Sequence, residues 1–81
     1  MHMSPTIYRE KGYRFHFFSR EELRAHVHVI CTSGEAKYWL EPAIELAKNE
    51  NLNGTQIKEI QGIIEDHYNE FKNAWENYFN S

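Results

Sequence analysis

Two histidines separated by one valine, His26-Val27-His28, are the residues of this chain best placed to do chemistry. Side chains two apart on a strand leave the same face, so both imidazoles would project together. The same alternation pairs Arg14 with His16 in one β-like run, and Glu35 with Lys37 and Trp39 in another. If these runs are neighbours, Arg14, His16, His26, His28 and Lys37 form one patch, rimmed by Glu35 and Trp39.

Three chemistries compete for that patch. In the first, cations neutralise phosphate while Trp39 or Phe18 stacks on a base. A histidine, with His16, His26 and His28 as candidates, then serves as general base or acid and cleaves RNA through its own 2′-hydroxyl. The enzyme would be a metal-independent ribonuclease. In the second, His26 and His28 hold a metal with Glu35. A lone His-x-His without a clear third ligand is a poor zinc signature, so neither metal nor cofactor is assigned. In the third, the imidazoles are half-buried, satisfied by neighbouring hydroxyls or carboxylates, and have no further role. Cys31 ends a strand whose apolar residues point inward, and reads as a small hydrophobe.

The elements that must position these residues follow from periodicity. Thr6–Arg9 and Tyr13–Phe18 are β-like runs closed into a hairpin near Glu10-Lys11-Gly12. Ser19–Leu23 is a polar loop or one helical turn capped by Ser19. Ala25–Ile30 is a third strand and Glu35–Leu40 a fourth, separated by a Thr32-Ser33-Gly34 turn. Pro42 has no N–H to give a ladder. Ala43–Ala47 reads as a short fifth strand or a helical turn, with the strand preferred, and residues 48–52 as a connector. Asn53 with Gln56 makes a capping box. From there Ile57, Ile60, Ile64, Tyr68, Phe71, Trp75 and Tyr78 recur at spacings of three and four, the stripe of one long helix over about 54–79. Gly62 is its one interior blemish.

The expected architecture is α+β: an antiparallel sheet of four to five strands, over about 5–47, packed against one long C-terminal helix. The inner face is assigned to Tyr13, Phe15, Phe17, Val27, Val29, Tyr38, Leu40, Ile44 and Leu46. The opposite face is left for the histidine patch. The aromatic helix end, Trp75–Phe79, cannot turn every ring inward, which suggests a partner or homodimer contact. A free sheet edge offers a second docking point by strand addition.

With 81 residues the chain is sized for one domain, and 26% charged residues is typical of a folded one. The net charge is −3 but unevenly spread. Residues 1–40 carry six Lys/Arg against four Glu, and residues 41–81 carry three Lys against eight acids. An anion-facing first half is one reading of this, an ordinary solvated surface the other. One cysteine, no signal-peptide pattern and no apolar run near the ~18–20 residues that span a membrane point to the cytoplasm.

Taken together, Ser4-Pro5-Thr6-Ile7-Tyr8-Arg9-Glu10-x-Gly12-Tyr13-Arg14-Phe15-x-Phe17, His26-Val27-His28-Val29, Gly34-Glu35-Ala36-Lys37-x-Trp39-Leu40-Glu41-Pro42 and the terminal Trp75-Glu76-x-Tyr78-Phe79 resemble the bacterial Domain of Unknown Function family 4160. The resemblance spans nearly the whole chain. It implies a toxin-like component of a toxin–antitoxin pair, with a growth-inhibitory role and a small cognate antitoxin-like protein as partner; the histidine patch then makes RNA or the translation machinery the expected target. It brings no agreed reaction with it. Where members often carry a proline pair, this chain has Arg24-Ala25, which adds Arg24 to the phosphate-binding candidates Arg14, Lys37 and Trp39. The alternative expectation is a non-enzymatic interaction or regulatory module that binds a small partner protein.

Overall fold

The computed structural model describes residues 6–18 and 23–80, so the cap expected at Ser19 lies outside the described residues. Five strands run in chain order: β1 (Thr6–Glu10), β2 (Tyr13–His16), β3 (His26–Ile30), β4 (Glu35–Trp39) and β5 (Glu45–Glu50). Each pairs antiparallel with the next, giving one meander in the order β1-β2-β3-β4-β5. The β1–β2 hairpin turns at Lys11 (φ 54°) and Gly12 (φ 84°). Two successive positive φ angles match the right-handed twist of the flanking strands.

The C-terminal stripe forms two helices rather than the single long one expected. α1 covers Gly54–Asp66 and α2 covers Tyr68–Asn80. The break is at His67, whose φ of −118° and ψ of 24° leave the helical region. Its N–H donates to the carbonyls of both Ile63 and Ile64, and its carbonyl accepts from Phe71 N–H. The His67 ring also lies 4.3 Å from the Tyr8 ring, with Glu70 on Nδ1. Tertiary contacts with β1 thus bend the chain where the apolar repeat runs on without interruption.

The core is the expected sheet face closed by the helices. Phe15, Phe17, Val27, Val29, Tyr38 and Leu40 are fully buried, together with Ile60 and Ile64 of α1. Ile63, absent from the predicted stripe, is buried too, whereas Tyr78 is 39% exposed. Three hydroxyls fasten the layers: Tyr13 donates to Glu59 at 2.6 Å, Tyr38 to the Ile57 carbonyl at 3.2 Å, and Tyr68 to the Leu40 carbonyl. Burial and the carboxylate beside it push the Tyr13 hydroxyl up to about 12, so it stays a donor at any physiological pH.

Both strand boundaries near the sheet's edge differ from expectation. β5 runs over 45–50, later than the 43–47 read from the sequence, because Lys48-Asn49-Glu50 pair with Lys37, Ala36 and Glu35 despite their loop-like composition. A bulge at Ala47 separates the Lys37–Lys48 pair from the Tyr38–Leu46 pair. Leu46, placed in the inner face by its spacing, is 38% exposed at that edge.

The helix start behaves as the sequence indicates. The Asn53 side chain accepts from Gln56 N–H at 2.8 Å, and the Gln56 side chain accepts from Asn53 N–H at 3.0 Å. Asn53→Ala is expected to cost ~1 kcal/mol, lowering the melting temperature by about 4–8 °C in a domain of this size. Thermal melts of parent and variant, followed by circular dichroism, check this.

Candidate functional site

The register gathers the expected residues onto the sheet face turned away from the core. His16 stands opposite His28, His28 opposite Lys37, and Lys37 opposite Lys48, a row across four strands. On one side of it runs the row Arg9–Arg14–Ile30–Glu35–Glu50. On the other side His26 faces Trp39, which faces Glu45. Arg14, His16, His26, His28, Lys37 and Trp39 therefore do share one face, and Arg24 joins them from just before β3.

The face is less open than alternation implies. His16 is 4% exposed, His26 0% and His28 8%, more enclosed than the half-buried imidazoles of the third reading. Aromatic rings cover them. The Phe18 ring lies 4.9 Å from His16 and 4.4 Å from His28. Trp75, reaching from α2, lies 4.9 Å from the His26 ring while also touching Phe17. His16 and His28 stack at 5.6 Å, and His26 meets His28 edge-on at 5.1 Å. The result is a continuous aromatic and imidazole layer from Phe18 to Trp75.

His26 and His16 differ in their hydrogen bonding. His26 Nδ1 is 2.7 Å from the Arg24 carbonyl. A carbonyl only accepts, so Nδ1 carries the proton and donates it there. His16 Nδ1 is buried with no hydrogen-bond partner. Burial, then the positive charge of Arg14, then His28, hold the His16 ring down at about 4. It is a neutral imidazole at neutral pH, with one N–H donor and one acceptor nitrogen.

Trp39 is committed as well. The Arg24 guanidinium lies 4.2 Å and the Lys37 ammonium 4.5 Å from its ring centroid, within cation–π range. Arg24 also donates to the Glu41 carbonyl at 2.8 Å and pairs with Glu45 at 3.5 Å. A base stacking on Trp39 would have to displace these cations. Glu35, the carboxylate needed to complete a metal site, stands opposite Ile30, one row from His28 and two from His26. Among the described residues no group of three or more His, Cys, Asp or Glu is arranged to hold a metal ion. No helix among them is long and apolar enough to cross a membrane.

Trp75 as a cover for His26 has no local signal in the sequence. Arg9, which the register adds to this face, does have one, because closing the hairpin at Lys11-Gly12 places it opposite Arg14.

Residues 12–76 fit the family described as Domain of unknown function (DUF4160). No curated protein and no solved structure matches the chain.

Proposed function

The chain belongs to the DUF4160 family, and from that premise we propose that it works by binding, as a non-enzymatic module whose β5 edge receives an extended segment of a small partner protein. One observation carries this reading. All six residues of β5 are exposed, and β5 ends the sheet with β4 on one side only. An edge strand offers unpaired backbone groups for strand addition. Glu45, Lys48 and Glu50 along it would select a segment with complementary charges, and the Ala47 bulge would discourage pairing with arbitrary strands.

The partner to test is the small protein of an adjacent reading frame. In the complex, the amides of Glu45–Glu50 are expected to exchange with deuterium at least tenfold more slowly than in the free chain, while those of β2 and β3 stay unchanged. Protection confined to other elements would remove β5 as the dock.

A second reading keeps the toxin-like role, with RNA as the target. Arg14, Arg24 and Lys37 sharing a face with three imidazoles favour it. It requires that the chain produced alone slow bacterial growth, and that His28→Gln relieve the effect without lowering the melting temperature. Equal inhibition by parent and variant would leave histidine chemistry without a role.

A further inference from the structure

The β1–β2 turn sets two cations outside the imidazole layer, Arg9 and Lys11, beside Arg14 at the layer's margin. We infer that Arg9, Lys11 and Arg14 form a site for the backbone phosphates of a single-stranded nucleic acid, independent of docking at β5. Arg9 and Arg14 stand directly opposite each other on adjacent strands. Like charges so placed destabilise a hairpin, and an anion between them reverses the sign of the interaction. Lys11 completes the group from the turn itself, at a φ of 54° where glycine or asparagine would sit with less strain. The arrangement concentrates positive charge at one corner.

The corner is also concave. Arg9, Lys11, Gly12 and Arg14 border a cavity of about 320 Å³, with Glu10 and Tyr13 as its other walls. The acid does not neutralise the site, because its carboxylate is engaged on the helix side. There Glu10 accepts from the Tyr8 hydroxyl at 2.8 Å and lies 3.8 Å from His67 Nε2. The Tyr13 hydroxyl likewise points to Glu59 of α1. Arg14 is oriented by donating from Nε to Thr6 Oγ1 at 2.6 Å, which steadies the planar fork that suits phosphate oxygens.

A strand rather than a lone anion fits because the same face continues with apolar surface. Ile30, opposite Arg14, is 38% exposed, and Phe18 is 40% exposed beyond the end of β2. Phe18 is four residues from Arg14, about 13 Å along an extended chain. Phosphates at the corner and a base against Phe18 can therefore belong to one strand. Cations that follow a backbone beside a ring that stacks on any base are the common design of sequence-tolerant single-strand binding.

Fluorescence anisotropy of labelled 12-nucleotide oligouridylate and oligothymidylate, with inorganic phosphate as competitor, tests the site. Three phosphate contacts predict a log–log salt slope of about −2, a roughly 20-fold loss of affinity between 50 and 200 mM salt. Arg9→Gln/Arg14→Gln should reduce the slope to about −0.7 and the loss to about 3-fold. Lys11→Asn keeps a residue that tolerates the left-handed turn, so the fold is preserved and the slope should fall to about −1.4. Lys48→Gln, at the opposite edge, should leave the slope at the parent value. No binding of either oligonucleotide at 50 mM salt overturns the inference, as does a parental slope in both Lys11→Asn and the double arginine variant. Displacement of the oligonucleotides by millimolar inorganic phosphate also overturns it, by making the corner a small-anion site.

Discussion

Acidifying the protein from pH 7 to pH 4 is expected to remove up to ~3 kcal/mol of folding stability through His16 alone. The ring titrates near 6.5 when the chain is unfolded and at about 4 when folded. Above pH 6.5 it is neutral in both states and costs nothing. Between 6.5 and 4 the unfolded chain binds a proton that the folded chain refuses, so stability rises with pH across that window. The size follows from ~1.4 kcal/mol per pH unit over a shift of about 2.5 units. The cause is physical enclosure: Phe18 and His28 cover the ring, its Nδ1 has no partner, and Arg14 adds like charge. His16→Phe keeps a ring of similar bulk against Phe18 and removes the titration. Urea unfolding of parent and variant at pH 7, 5.5 and 4 reads the effect, since groups that do not interact with His16 cancel in the difference. The two stabilities should diverge by ~3 kcal/mol as the pH falls, and parallel curves would show that His16 is hydrated in the folded protein. The same property bears on chemistry, because a histidine neutral down to pH 4 offers a neutral N–H donor and an acceptor nitrogen near pH 7, not an imidazolium.

Much of this site was legible in the sequence because strand alternation is a rigid rule. Once the β-like runs were neighbours, Arg14, His16, His26, His28 and Lys37 had to share a face, and the pairing of His16 with His28 and of His28 with Lys37 follows that rule. The core was legible for the same reason, as was the capping box at Asn53, which depends only on residues three apart. What periodicity does not carry is contact between distant segments. His26 is enclosed by Trp75, 49 positions away, and Trp39 is occupied by Arg24, 15 positions before it. The break at His67 was hidden because the apolar repeat passes through it, and the residues that meet its ring, Tyr8 and Glu10, lie far away in the sequence. β5 was misplaced because Lys48-Asn49-Glu50 has turn composition, and only pairing with β4 makes it a strand. The family resemblance was recoverable because it rests on motif residues in order, which require no knowledge of what they touch.

The second large effect concerns a glycine whose function is closeness. Gly34→Ala is expected to cost ~3 kcal/mol, at the upper end for overpacking, and to loosen the end of β5. A Cβ at Gly34 would sit 2.0 Å from the Glu50 carbonyl oxygen, 3.1 Å from its carbon and 3.0 Å from Asn51 Cβ. The obstacle is backbone, which cannot swing aside as a flexible side chain can. That backbone is fixed from both directions. Glu35 pairs with Glu50 immediately before it, and Asn49 exchanges two hydrogen bonds with Leu52 just after it, across an Asn51 held at a φ of 70°. Relief therefore requires separating β4 from β5 at Glu50, which should speed amide exchange at the end of β5 before the rest of the sheet responds. Gly62 supplies the opposite case. Nothing lies within 4 Å of a Cβ there, and its position inside α1 makes Gly62→Ala a gain of up to ~1 kcal/mol. Urea denaturation of the two variants should thus move the midpoint in opposite directions. If β5 is the dock for the partner, Gly34→Ala should weaken that complex more than its stability loss alone predicts, while Gly62→Ala should leave the affinity unchanged. Gly34→Ala unfolding at the parental midpoint would mean that the Glu50 carbonyl moves freely, and β5 would then lose the rigid edge that strand addition requires.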